Sequence, residues 1–282
     1  MNSNLVYLYL LSPLHTGGIT QEGNLLGIAR ESHTNLPYIP SSTIRGKLRA
    51  SVGNEMSNRI KQVKLFGPDL KTDIQDRDFV AEYEIATGKK LTQLEQGDVW
   101  IGDGSVLWLP VPSLSHGVVW ISSPMLLQRW ARLNRITVDI PQEYSTNLNT
   151  NQPVYLKDAI LKAQDLHPGD NWETFVPQIG HANIRRLLVL PDQHCCTLIQ
   201  MSLWRQVKIK LDEYKSVDGG FRYEEAIPPD TLMYFPWGIT SQVNGSANQS
   251  HADFQTLMTQ HSILQIGGQE SLGRGFVQQF IV

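Results

Sequence analysis

Three stretches of this 282-residue chain carry side chains suited to holding a phosphate. Near its end, Gly267, Gly268, Gly273 and Gly275 surround Ser271 and Arg274. Glycines let a backbone turn sharply and approach a ligand closely, because no Cβ intervenes. Exposed N–H groups in such a turn cradle an anion, and an arginine adds a bidentate contact. Far upstream, Ser41-Ser42-Thr43-Ile44-Arg45-Gly46-Lys47-Leu48-Arg49 reads as the start of a helix, with Ser41 or Ser42 suited to the N-cap. Helical spacing puts Ser42, Arg45 and Arg49 on one face and leaves Ile44 and Leu48 as an apolar stripe. Hydroxyls and free N–H groups at a helix start, with guanidiniums one and two turns along, form a phosphate surface. The third candidate is His15, beside Gly17-Gly18, for a nucleic-acid contact or for proton transfer. The plain alternatives are turn punctuation for the glycines, a solvated basic face for the helix and a structural role for the histidine.

These residues must be positioned by a protein of ordinary globular composition, 41% hydrophobic and 18% charged, with enough apolar residues for a substantial core. No run approaches the length of a membrane span and the start lacks a signal-peptide pattern. Cys195 and Cys196 are adjacent in an apolar run; on a strand they would face opposite ways, which argues against a disulfide or a shared metal. A reducing, cytoplasmic compartment is expected. The net charge of −3 argues against binding nucleic acid through bulk positive charge. Charge is nevertheless uneven: residues 30–71 hold 8 bases against 3 acids and residues 73–103 hold 8 acids against 3 bases, so a local basic face on a neutral body is expected.

The pattern predicts a first buried strand over 5–11, an exposed glycine-spaced loop over 18–27 and a short extended piece ending at Pro40. The basic helical region stops at Gly67-Pro68, and the acidic stretch that follows has little periodicity. Strands are expected at 105–111 and 117–121, then a helix over 125–133 opened by Ser123-Pro124. A polar, weakly patterned segment spans 139–183, and strands resume at 186–190 and 197–211. Residues 215–229 read as a projecting hairpin whose Gly219-Gly220 turn precedes Phe221, Tyr223, Glu224 and Ile227. Such aromatics can wedge between stacked bases or simply pair across the hairpin. A strand over 231–235 and a helix over 252–264 lead back to the glycine loop. No P-loop, dinucleotide fingerprint, zinc-protease motif or nucleophile elbow occurs.

The succession of the first strand, His15-Thr16-Gly17, Arg30-Glu31-Ser32-His33-Thr34-Asn35-Leu36-Pro37, the Ser41–Arg49 stretch and Gly267–Gly275 resembles the RAMP superfamily of CRISPR proteins. Within it the chain is similar to the repeated backbone subunit of the type III-B (Cmr) effector complex. Residues 107–113, 117–120, 123–129 and 223–228 extend that resemblance through the middle of the chain. The resemblance implies an α+β fold in one domain, 1–282: a modified RRM-like, ferredoxin-like palm with inserted fingers or lid at 72–104 and 139–183, and a thumb β-hairpin at about 212–230. It implies copies stacked head-to-tail along a crRNA, a paired target RNA and other type III effector subunits as partners, with no membrane. It places guide phosphates on His15, Ser41, Ser42, Arg45 and Arg49, with Gly267, Gly268, Ser271, Gly273, Arg274 and Gly275 facing them. Phe221, Tyr223, Glu224 and Ile227 would form the base-displacing thumb.

The family also cuts target RNA with a loop aspartate and a divalent metal. Here the corresponding position falls on Leu25 or Leu26, and neither can ligate Mg²⁺ or Mn²⁺. The nearest upstream acid, Glu22, is the candidate for rescue, with His15 a second catalytic candidate. Impaired cleavage is the expectation, guide binding needing no cofactor; an active metal-dependent endoribonuclease is the alternative. A repeat-RNA processing activity would need a His-Tyr-Lys-type acid–base set, for which His15 and Tyr38 are the available members.

Overall fold

The computed structural model describes residues 3–22, 24–69, 72–92, 95–149, 151–177, 184–241, 243 and 247–281, with the backbone alone described for 18–22. Its first strand, β1 (Asn4–Leu10), alternates cleanly between two cores. Val6, Leu8 and Leu10 point into one hydrophobic cluster, Leu5 and Tyr7 into another. A period of two on a strand buried on both faces dictates this division. β1 pairs antiparallel with Leu232–Ile239 on one side and Phe276–Ile281 on the other, and Gly104–Ser113 lies beyond Leu232–Ile239. Helix α1 (Ser41–Ser51) falls between β1 and Gly104–Ser113 in the chain, and a second helix, Ala247–Gln260, between the last two palm strands. Both pack on the same face, through Ile44, Leu48, Phe254, Leu257 and Met258. This is the ferredoxin-like palm.

The other palm face, which an open RRM would present to RNA, is covered here. A helix, Pro124–Asn134, lays Leu127, Trp130 and Ala131 on it together with Phe175. Its predicted start is correct: Ser123 caps it, the hydroxyl accepting from the Leu126 N–H at 3.4 Å. A separate four-stranded sheet forms the thumb. Trp204–Leu211 and Val217–Ala226 make the hairpin, and β3 (Leu25–Ile28) joins it in parallel, with β2 (Gly17–Glu22) outermost. Among the described residues no helix is long and apolar enough to cross a membrane.

Several local expectations are corrected. Residues 18–27, expected as a loop, contain the paired backbone of β2 and β3. The acidic stretch contains α3 (Arg77–Thr87), following α2 (Met56–Phe66); Asp76 caps α3 by accepting from the Phe79 N–H. Phe79 and Tyr83 are buried in its small core with Val63 and Leu91, and Val80 packs against them, a short stripe interrupted by acids. Residues 99–101, expected within the 72–104 insertion, form a strand, Val99–Ile101, that pairs with the palm strand Leu232–Ile239. Residues 192–202 are a helix rather than a strand, with Cys195, Leu198 and Ile199 buried at helical spacing. Cys195 and Cys196 are both free thiols and lie on this helix rather than on a strand. The hairpin turn lies at 212–216, where Asp212 accepts from the Tyr214 and Ser216 N–H groups; Gly219 and Gly220 lie inside the second strand. The second helix of the palm starts at Ala247 and ends at Gln260, before a short strand, Ile263–Gln265.

Candidate nucleic-acid interface

The turn after β1 is where four distant segments meet. Leu14 exchanges backbone hydrogen bonds with Ile227 at the thumb base, 2.9 Å in both directions. The Gly268 N–H donates to the His15 carbonyl at 2.9 Å, the Ala29 N–H to the Thr16 carbonyl at 3.1 Å, and the Thr16 hydroxyl to the Tyr38 carbonyl at 3.2 Å. The glycine loop and the lead into α1 are therefore brought to the same turn, as the sequence reading required. His15 itself is only 5% exposed, its Nδ1 donating to the Glu225 carbonyl at 2.8 Å. It ties strand to thumb, and the processing pair with Tyr38 lacks an open imidazole.

Gly267, at φ 81°, cannot carry a side chain: a Cβ would strike the His15 carbonyl. Gly275 is likewise closed against the Ile266 carbonyl. Gly268, Ser271 and Gly273 are exposed on the outer side of the loop. Arg274 is not; it is 3% exposed. Its guanidinium donates to the side-chain oxygens of Gln269 and Gln206, lies 3.2 Å from the buried Glu224 carboxylate and stacks 4.5 Å from the Trp204 ring centre. Arg274 thus latches the glycine loop to the thumb rather than presenting a phosphate contact.

The α1 arginines also turn inward. Arg45 donates to the Phe66 carbonyl at 2.7 Å, and Arg49 to the Gly67 carbonyl and to Asp73 at 2.7 Å. Phe66 and Gly67 close the C-terminus of α2, where unpaired carbonyls and the helix dipole attract cations. Burial, then the neighbouring Arg49 charge, draw the Arg45 guanidinium below its usual pKa. The α1 N-terminus is occupied as well. Pro40 is the N-cap, neither serine caps through its side chain, and the Ser41 N–H donates to Asp103 at 2.7 Å. Ser42 alone of this group is exposed.

The thumb differs. Across the hairpin Val207 faces Tyr223, Ile209 faces Phe221 and Leu211 faces Val217. Partners in register share a face, so these six residues form one apolar surface, each 41–59% exposed. The Phe221 and Tyr223 rings meet edge-on at 5.5 Å. Lys208, Lys210 and Arg222 occupy the opposite face. Of the four predicted thumb residues, Phe221 and Tyr223 are displayed, while Glu224 and Ile227 are buried at its base.

At the inner end of that apolar face lies a cleft of about 760 Å³, bounded by Leu25, Arg205 and Glu225 on the thumb side and by Arg30, Tyr38 and Pro40 opposite. Leu25, in register with Tyr223, lines it; Leu26, in register with Glu224, does not. Glu22 sits opposite Leu25 in backbone register, but its side chain lies outside the described residues. Glu31 also borders the cleft. Burial opposes its ionisation, but hydrogen bonds from Arg129 and Thr34, at 2.5 Å each, prevail and hold its carboxyl below the ordinary range. Sequence reading missed Arg205, Arg30 and the first hairpin strand. The alternation Arg205, Val207, Ile209, Leu211 was the available signal, obscured by joining 197–211 into one strand.

The RAMP superfamily profile matches residues 7–278. The CRISPR system Cmr endoribonuclease Cmr4 of Pyrococcus furiosus is 27% identical over an alignment of 312 residues, covering 99% of this chain and 95% of that protein. The crystal structure of oligomeric Cmr4 from Pyrococcus furiosus superimposes with a TM-score of 0.69 at 23% identity, over 100% of this chain and 98% of that one. A chain of the type III-B Cmr-beta complex bound to cognate target RNA gives a TM-score of 0.74 at 18% identity, over 100% and 97% respectively. The shared fold extends over the whole chain.

Proposed function

The chain belongs to the RAMP superfamily, and from that premise we propose that it is a backbone subunit of a type III-B CRISPR effector. Copies bind a crRNA head-to-tail in the cytoplasm and, with the other type III effector subunits, position target RNA for antiviral defence. The observation that carries this reading is the thumb, which displays Phe221 and Tyr223 on the same face as Arg205, a lining residue of the cleft that also holds Arg30. Aromatic platforms beside cationic grooves suit unpaired or displaced bases, and the palm face that an RRM would use is buried. Ser42, Gly268, Ser271 and Gly273 remain as the exposed backbone-contact set. In the test, the chain is expressed with its partner subunits and a guide locus. Guide RNA is expected to co-purify with it; a complex that assembles free of RNA, from a chain with no affinity for single-stranded RNA at low salt, would sink the proposal.

We read target cleavage as impaired. Leu25 occupies the cleft position nearest the expected carboxylate, and a hydrocarbon cannot ligate a hard divalent cation. The described acids around it are committed, Glu225 to Arg30 and Arg205, and Glu31 to Arg129 and Thr34. Among the described residues no group of three His, Cys, Asp or Glu side chains could hold a metal. Glu22 is the one route to rescue, and Mg²⁺ or Mn²⁺ is required only if that route operates. Since the relative at 27% identity is named an endoribonuclease, the deciding assay incubates the assembled complex with complementary RNA and either metal. Intact target is expected. A regularly spaced ladder that disappears in Glu22→Ala would overturn the reading.

A further inference from the structure

The cleft holds a charge arrangement that the account above leaves without a task. Glu225 is fully buried, and both of its oxygens are ion-paired: Oε2 with Arg30 at 2.6 Å, Oε1 with Arg205 Nε at 3.1 Å. Glu31, the other acid on the cleft, is neutralised by Arg129, so two guanidiniums against Glu225 leave one positive charge in excess at the cavity. Arg30 uses another nitrogen on the Asn35 carbonyl at 3.3 Å. Arg205 is held by Nε alone; its terminal nitrogens make no hydrogen bond among the described residues, and its side chain is 55% exposed. An arginine fixed through Nε keeps the two-pronged Nη1–Nη2 edge free, the edge that matches a phosphate.

The position of Arg205 adds to this. It shares a sheet face with Val207 and Tyr223, and residues two apart on a strand are separated by roughly 7 Å. A strand of RNA whose phosphate meets Arg205 therefore has an aromatic platform within one nucleotide's reach. The three arginines read from sequence offer no comparable edge, since Arg45, Arg49 and Arg274 are spent on internal acceptors. We infer that Arg205 is a phosphodiester contact in this cleft, with the buried Glu225 and Arg30 as positioning residues. This rests on the RNA-binding reading.

The test measures RNA affinity of the full chain against salt concentration, for the wild type, Arg205→Ala and Arg205→Lys. One arm uses single-stranded RNA and the other uses the guide-loaded chain with complementary RNA. Neutralising one phosphate contributes about 0.7 to the log–log salt slope on a single strand, so Arg205→Ala is expected to lower the slope by about that amount and the affinity about tenfold. Arg205→Lys keeps the charge and the fold, and is expected to keep the slope while binding more weakly for want of the fork. A change confined to the first arm assigns a guide phosphate, and one confined to the second a target phosphate. A wild-type slope left unaltered in Arg205→Ala overturns the assignment alone. No wild-type affinity in either arm overturns the RNA-binding reading with it.

Discussion

Helix α1 and the thumb hairpin are both rich in basic side chains, and they dispose of them in opposite ways. On α1, Arg45 and Arg49 fold back onto the carbonyls that end α2, and Asp73, itself 2% exposed, draws in both Arg49 and Arg59. On the thumb, Arg205 gives one nitrogen to a buried acid and leaves the rest in the cleft, while aromatic rings stand exposed alongside. The difference lies in the competing acceptors. A helix C-terminus close by offers several unpaired carbonyls at once, so a nearby arginine satisfies itself internally. A hairpin consumes its own carbonyls in the ladder and leaves its side chains to the solvent or a ligand.

That contrast can be broken most forcefully at Asp73. Asp73→Ala removes the buried acid that Arg49, Arg59 and the Asp69 N–H share, and is expected to lower unfolding free energy by about 3 kcal/mol in urea titration, without altering the RNA salt slope. Unchanged stability with weakened RNA binding would move α1 into the thumb's class. Next in size, Tyr223→Ala is expected to lose about 2 kcal/mol of RNA affinity through lost stacking. Its urea midpoint should shift by less than the equivalent of about 0.5 kcal/mol, as expected for an exposed side chain. Glu31→Gln tests a third inward arginine, Arg129, and should lower stability by about 1 kcal/mol at neutral pH. Because Glu31 titrates below its ordinary range when folded, its contribution is complete above about pH 4.3 and disappears as pH falls through the folded value. The substitution should therefore flatten the acid arm of the stability–pH curve. The smallest effect belongs to Asp103→Ala, about 0.5 kcal/mol, from freeing the Ser41 N–H at the start of α1.

The palm was legible through the family resemblance, and from the residues alone so were β1, a nearly unbroken apolar strand, and the helix that Ser123-Pro124 opens over the palm's other face. The family pattern set the glycine loop against the start of α1, whereas its backbone bond to His15 came only from the structure. What escaped reading has physical reasons. The partners of Arg45 and Arg49 are mainly backbone carbonyls, which have no signature in a sequence. Arg274 resembles a ligand-binding residue in its glycine setting, yet its burial depends on Gln206 and Glu224, which enter only through the thumb register. The cleft depends on Arg205 lying opposite Glu225, and that register follows from a turn at 212–216 rather than at the more conspicuous Gly219-Gly220. Helix α3 and the helix over 192–202 each bury only two or three side chains, so their apolar residues do not fall into one clean helical stripe.

The pairing of β1 has a further consequence for how the molecule is made. Both neighbours of this central strand, Leu232–Ile239 and Phe276–Ile281, come from the far part of the chain. β3 likewise waits for Val217–Ala226 before the thumb sheet can close. Contacts of such high sequence separation form slowly, since the loop entropy must be overcome before they contribute. During synthesis the first strand therefore leaves the ribosome with two unsatisfied edges and keeps them until almost the whole chain has followed. Such edges invite misassociation. Folding of palm and thumb is in this sense a single late event, and deletion of Phe276–Ile281 is expected to abolish it rather than trim it.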